Sequence, residues 1–363
     1  MIKRMYINNY RCLVAFEISF NELSVLCGFN GTGKSSVFDA LMFVRDLATG
    51  NSFLGGADKE SKRTVSKLEF CKWFDSDTQE FEIEIEENDH VFFYQLHVQQ
   101  TAEYEQPRII KETARCDGAD LFSRDMERIY FGDNKSFSLD WRQSALSAFH
   151  PSKTQRQIAA LQQAISNIII IRPNVRLFEN ESKFESMHAD LYLDNIISWY
   201  RFFAHDQDWT DILRKSLQMI WPDDFKSLKL SELGASIKQL ELNFTAGLLR
   251  FDQLSDGEKM LVALYMIHAV LSTAKEGLTV MIDEPDNYIS MQELQPWMLE
   301  MSETIEKAKQ LILISHNADI LESSPSQIHY FFRDNHSAPA RVKPLEVPEG
   351  ITIREALARG WVC

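Results

Sequence analysis

The sequence predicts an α/β fold in which a parallel core carries an N-terminal antiparallel β subdomain and an inserted, mostly helical lid or arm. Three observations point to it. An apolar run, Leu23 to Cys27, leads through a glycine-rich turn into a segment, Lys34 to Leu47, with helical apolar spacing (Val37, Leu41, Val44, Leu47). From Val65 to Val98 the pattern alternates, most clearly at Phe81-Glu82-Ile83-Glu84-Ile85-Glu86, as a half-exposed antiparallel strand does. Residues 255–320 then alternate helix and strand in the manner of a parallel sheet.

Taken in order, residues 1–100 read as an N-terminal lobe of short strands, the glycine turn, its helix and the β subdomain. Residues 101–230 read as the inserted lid or arm, with a helix over Thr154–Ser166, a buried strand over Asn167–Arg172 stopped by Pro173, and one or two amphipathic helices over Leu191–Trp221. Residues 231–322 form a C-terminal lobe, and 323–363 a tail with a strand at Ile328–Phe332 and a short helix near Ile353–Arg359. No heptad repeat persists, so no long coiled coil is expected.

With 45% apolar and 25% charged residues, the chain can bury a sizeable core and is not of disordered composition. No apolar run approaches the roughly 20 residues of a membrane-spanning helix, and the N-terminus lacks the pattern of a signal peptide. The five cysteines are scattered (Cys12, Cys27, Cys71, Cys116, Cys363), which argues against a zinc site or disulfide framework and for a reducing cytoplasm. A net charge of -15 repels nucleic acid, so any such contact must be local.

Four motifs carry chemistry. Gly28-Phe29-Asn30-Gly31-Thr32-Gly33-Lys34-Ser35 fits G-x-x-x-x-G-K-[ST] and lies between a strand and a helix, the context a phosphate loop requires. Its glycines let backbone N–H groups wrap a phosphate, Lys34 reaches the β and γ phosphates, and Ser35 supplies a hydroxyl to Mg2+. The apolar strand that starts at Gly277-Leu278 and runs through Ile282 ends in Asp283, placed to hold Mg2+, and Glu284, placed to deprotonate an attacking water. Leu254-Ser255-Asp256-Gly257-Glu258-Lys259 opens a helix. Ser255 and Glu258 are spaced as a capping box, and a capped helix start with Gly257 inside it is also an anion site. Leu311–Ile314 is a buried strand ending at Ser315-His316, where His316 can contact a γ-phosphate or simply be a satisfied structural histidine.

In this order the motifs resemble the ABC ATPase superfamily, and within it the RecF, SMC and OLD branch of small stand-alone prokaryotic ATPases. Ile7-Asn8-Asn9-Tyr10-Arg11-Cys12-Leu13 resembles that branch's "NF+" opening, and Asp283-Glu284-Pro285-Asp286-Asn287-Tyr288 its DEPEN turn. The resemblance implies an ABC ATPase head that converts ATP to ADP and phosphate with Mg2+. It implies nucleotide contacts at Asn30, Gly31, Thr32, Gly33, Lys34, Ser35 and Ser36, with Arg11 near the phosphates. It further implies a homodimer on ATP binding, or a higher oligomer built on it, in which Ser255, Gly257 and Glu258 of one copy face the nucleotide held by Lys34 of the other. A Q-loop glutamine has three candidates, Gln79, Gln95 and Gln99, and the turn after Glu284 lacks the family's leucine-His-Pro ending.

The task coupled to ATP rests on less. From Arg142 to Arg176 there are five basic residues (Arg142, Lys153, Arg156, Arg172, Arg176) and no acidic one, which reads either as a DNA- or RNA-contacting surface or as a solvated face neutralised by acidic neighbours. Too few residues follow His316 for an appended nuclease domain. A sensor or switch in anti-phage defence with a separate effector is therefore expected, with a RecF-like repair ATPase or a regulator of a protein partner as the alternatives.

Overall fold

The computed structural model describes residues 1–55, 64–103, 105–131, 136–149, 156–234, 236–275, 277–305, 309–323, 328–348 and 350–359. Its centre is a six-stranded sheet in the order Ile168–Ile171, Thr279–Asp283, Gln310–Ile314, Leu23–Gly28, Ile328–Phe332, Arg341–Pro344. The first five strands run parallel and only the edge strand Arg341–Pro344 is antiparallel. A parallel sheet is covered on both faces, so its strands read as unbroken apolar runs. Here alternate residues of one strand enter opposite cores. Val25, Val280, Ile282, Leu311 and Leu313 face the helix Asp256–Thr273 and its neighbour Met291–Ile305, whereas Leu26, Met281, Ile312 and Ile314 face the helix Lys34–Ala48 and the β lobe. The helix Asp256–Thr273 is buried continuously from Met260 to Leu271, as a helix packed on all sides must be.

The β lobe is an eight-stranded antiparallel sheet built on Ile2–Asn8, with Phe16–Ser19 on one side and Thr78–Glu87, His90–Gln99, Arg108–Cys116, Ala119–Asp125, Arg128–Tyr130 and Ser136–Ser138 in succession on the other. The glutamate row expected on Thr78–Glu87 is partly neutralised across the strands: Arg4 bonds Glu84 at 2.8 Å, Glu82 at 2.7 Å and Glu17 at 2.8 Å. The two sheets are joined by Gln310, which is fully buried. Its amide nitrogen donates to Ile2 O and Asn21 O, and its oxygen accepts from Ile2 N and Thr279 Oγ1.

The expected lid or arm over 101–230 is corrected in its boundaries. Residues from Arg108 to Ser138 are strands that continue the β lobe, because their alternation pairs them with His90–Gln99 and with one another rather than forming helices. Ile168–Ile171 belongs to the core sheet beside Thr279–Asp283. Among the described residues of this stretch the α-helices are Ala145–Ala148, Arg156–Ser166, Ile196–Phe203 and Gln207–Ile220, with a 3-10 turn at Val175–Leu177, and Trp199, Trp209, Leu213 and Leu217 from the last two helices join the main core. A third sheet, Phe225–Glu232, Lys238–Phe244 and Gly247–Arg250, leads into the helix at Asp256. The strand Ile328–Phe332 and the helix Ile353–Arg359 form where the tail was expected to hold them, but the strand pairs with Leu23–Gly28 inside the core sheet. Among the described residues no helix is long and apolar enough to cross a membrane.

Gln310→Leu keeps the volume but strips partners from buried backbone groups of Ile2 and Asn21. It is expected to destabilise the fold by about 2–4 kcal/mol, read as a lowered midpoint in urea unfolding.

Candidate nucleotide site

The carboxyl ends of the parallel strands meet along one edge, and a cleft of about 490 Å³ opens there. Leu23–Gly28 delivers the phosphate loop, where Gly28 (φ 133°), Gly31 (φ 78°) and Gly33 (φ 105°) adopt left-handed backbone that side chains resist. A Cβ on Gly28 would lie 2.2 Å from the carbonyl oxygen of Phe331, so this glycine also permits the sheet to close. Lys34 is buried and folds back onto its own loop, donating to Gly28 O at 2.7 Å and Phe29 O at 3.0 Å. Burial pushes its pKa down, opposed by the nearby Asp283 carboxylate. The Thr32 hydroxyl donates to Phe29 O at 2.8 Å and closes the loop from inside. Asn30, Gly31, Gly33, Lys34, Ser35 and Ser36 line the cleft, as does Arg11.

Thr279–Asp283 delivers the two carboxylates. Burial raises the Asp283 pKa, while Arg172 and the Ser35 hydroxyl, both bonded to it, act in the opposite direction. Glu284 stands in left-handed backbone (φ 55°), unusual for a glutamate, and its carboxylate accepts from Asn287 Nδ2 at 2.8 Å. Its amide donates to Ile314 O at 2.8 Å, which ties the turn to the end of Gln310–Ile314. The next residue on that strand, Ser315, donates to Asp286 at 3.0 Å, and His316 follows into the cleft. Partial desolvation, together with the Lys34 charge, holds the His316 pKa below its ordinary value. An uncharged imidazole is thus favoured there.

Arg172 is a correction to the reading of the basic stretch. Pro173 does end the strand Ile168–Ile171, but the arginine turns into the site and binds three partners: Asp283 at 2.9 Å, Asp39 at 2.7 Å and Ser35 O at 2.9 Å. Asp39 also pairs with Arg11, whose Nε pairs with Glu69. The arginine expected near the phosphates therefore reaches the cleft wall as part of a chain running Glu69, Arg11, Asp39, Arg172, Asp283. Of the remaining basic residues, Arg142 is paired with Asp140 at 2.6 Å, Arg156 and Arg176 are exposed, and Lys153 lies outside the described residues. Arg172 is therefore turned into the site, and Arg142 and Arg172 are both neutralised by acidic neighbours, as one of the two readings of the stretch expected.

Sequence reasoning missed Asp39, Glu69, Trp73, Arg333 and His336. Asp39 had a signal, since it lies one helical turn after Ser35 on the same face; the others come from segments distant in sequence. None of the candidate Q-loop glutamines lines the cleft: Gln79 is fully buried and holds Asn9 O and Glu69 O, Gln95 bonds Glu82, and Gln99 bonds Asp77. The capping box at the other motif is present, with Glu258 N donating to Ser255 Oγ at 3.3 Å and Ser255 N to Glu258 Oε2 at 2.7 Å. Gly257 was expected to admit a phosphate; in this structure it admits the carbonyl oxygen of Tyr288, which a Cβ would meet at 2.9 Å. Ser255, Gly257 and Glu258 do not line the cleft that holds Lys34.

A family model described as an AAA ATPase domain matches residues 1–244. The chain belongs to that family. No curated protein matches this ATPase in sequence. Its fold is similar to solved SMC heads. One is the SMC head bound to the C-terminal winged-helix domain of ScpA (TM-score 0.60, 15% identity, covering 96% of this chain and 99% of that one). A second is the SMC head from Thermotoga maritima (TM-score 0.51, 15% identity, 95% and 99%). A third is an SMC head with extended coiled coil bound to the C-terminal domain of ScpA, from Pyrococcus furiosus (TM-score 0.54, 14% identity, 99% and 98%). The ATPase thus has the fold of an SMC head.

Arg172→Ala leaves Asp39 and Asp283 without their shared cation. The expected result is a loss of about 1–3 kcal/mol of stability in the absence of Mg2+, partly restored by added Mg2+, checked by thermal melts with and without EDTA.

Proposed function

We propose that this ATPase binds and hydrolyses ATP with Mg2+, and that two copies close head to tail over two nucleotides to act as a switch on a separate protein. The observation that carries the second half is the placement of Ser255. Its capped helix start is of the kind that can receive an anion, and it stands outside the cleft built by its own chain, which supports its serving a nucleotide held by another copy. Phe29 at the tip of the phosphate loop (66% exposed) and Tyr288 on the turn beside Gly257 are exposed and offer apolar surface to such an interface.

The residues fit the ligands. The glycine loop offers backbone N–H groups, and the bonds Lys34 makes to its own loop are exchangeable for bonds to phosphate oxygens. Ser35 hydroxyl and Asp283 carboxylate form an all-oxygen donor set of the kind Mg2+ prefers. Bound there, Mg2+ would neutralise developing phosphate charge. Glu284, with one oxygen held by Asn287, takes the proton of the attacking water through the other. His316, neutral, offers a hydrogen bond to the γ-phosphate side. Similar SMC heads solved with ScpA domains support a protein partner. The same switch would serve either anti-phage defence or DNA repair, and the protein that co-purifies with the closed form distinguishes them.

Glu284→Gln is expected to bind ATP and accumulate as a dimer with turnover reduced at least about 100-fold, measured by light scattering and phosphate release; a monomer in saturating ATP would refute closure. Lys34→Ala is expected to lose ATP binding. Mixing Lys34→Ala with Ser255→Arg, each inactive alone, is expected to restore part of the ATPase rate, since one composite site in the mixed dimer is intact. A mixture no more active than its components would falsify the shared site.

A further inference from the structure

We infer that His90, Cys116 and Asp117 form a zinc site in the β lobe. None of the three lines the nucleotide cleft. Their ligand atoms, an imidazole nitrogen, a thiol sulfur and a carboxylate oxygen, all lie within 4.8 Å of one another. The sheet brings them together. A two-residue turn, Asn88-Asp89, leads into His90–Gln99, and a second, Asp117-Gly118, follows Arg108–Cys116. All four turn residues hold the left-handed backbone that such tight hairpins need (φ 51°, 64°, 50° and 82°). Phe92 pairs with Cys116 across the two strands, so both turns fall at the same end of the sheet. No paired-cysteine motif marks the site in the sequence, because Asp117 lies 27 residues after His90.

The spacing and the donor chemistry fit zinc. His90 Nδ1 is 2.6 Å from Asp117 Oδ2, and Cys116 Sγ is 3.7 Å from that same oxygen. Tetrahedral zinc, with bonds of about 2.0–2.3 Å, spaces its ligand atoms about 3.4–3.6 Å apart. The Cys116–Asp117 distance is close to that value, and the His90–Asp117 gap must open by about 1 Å. Both of those side chains are about half exposed (48% and 50%), so rotation of the imidazole opens it. The carboxylate is already braced. Its Oδ1 accepts from Val91 N at 2.9 Å, and the Asp117 amide donates to Val91 O at 2.8 Å, which leaves Oδ2 to the ion. The buried Cys116 thiol donates to Oδ2; zinc takes the place of that proton, which leaves to solvent. Sulfur and imidazole in one set select zinc over Mg2+ or Ca2+, which prefer oxygen. A His90–Asp117 ion pair alone would give the thiol no role.

Titration of the chelator-stripped full chain with Co2+, a spectroscopic stand-in for Zn2+, tests the site. The expected result is one Co2+ per chain with a thiolate-to-cobalt charge-transfer band in the near ultraviolet, bleached by Zn2+ and not by Mg2+. Oxygen donors alone, such as Ser35 and Asp283, give no such band. His90→Ala and Asp117→Asn, both at exposed side chains, are each expected to weaken Co2+ binding at least about tenfold, and Cys116→Ser to abolish the band. No band in the parent overturns the site. So does a band that survives Cys116→Ser, which belongs to another of the five cysteines, or parent affinity in His90→Ala. Should Cys116→Ser fail to fold, the histidine variant decides.

Discussion

Five parallel strands ending at one edge are the constraint from which the site follows. In a parallel sheet every carboxyl end falls on the same side, and a ligand binds there because the loops that follow can be varied without disturbing the ladder. Each of the five parallel strands ends at the site: Arg172 after Ile168–Ile171, Asp283 and Glu284 at Thr279–Asp283, His316 after Gln310–Ile314, the phosphate loop after Leu23–Gly28, and Arg333 after Ile328–Phe332. The registers are fixed by buried apolar residues on both faces, so a slip in any strand would cost two cores at once.

Charge is balanced within that edge before any ligand arrives. Lys34 rests on carbonyls of its own loop, and Arg172 bridges Asp39, Asp283 and the backbone of Ser35. Buried carboxylates without a cation are costly, and the arginine stands in for positive charge next to the residues that fit Mg2+. The chain of pairs through Asp39 and Arg11 to Glu69 runs from there into the segment that precedes Thr78–Glu87, so that segment and the cleft edge of the sheet share one electrostatic network. Glu284 in left-handed backbone, braced by Asn287 and Ile314, has the strained but over-determined geometry that functional positions carry.

The legible part of the site was the part written in contiguous residues. The phosphate loop, the strand ending at Asp283-Glu284 and the strand ending at Ser315-His316 each combine a local apolar run with polar residues at its end, and the structure forms each of them. The capping box at Ser255 was likewise local. A count of basic residues along a segment has no spatial content, so it left two readings open for the stretch around Arg172; the structure gives Arg172 and Arg142 acidic neighbours, as the second reading expected. The helical lid was overdrawn for a related reason: strands from Arg108 to Ser138 are recognised by what they pair with, and pairing partners are set by the whole sheet.

By itself, then, the sequence determined the local pieces of the proposed nucleotide site, since a glycine loop with Lys34 and Ser35, and a carboxylate pair after an apolar strand, need only local backbone geometry to form. The tertiary structure alone decided which distant residues complete the site. Trp73, Arg333 and His336 arrive from opposite ends of the chain, and Asp39 and Arg172 meet Asp283 only because the helix Lys34–Ala48 and the strand Ile168–Ile171 pack around the same sheet edge. The physical reason is that side-chain pairing acts over a few ångströms, whatever the separation along the chain.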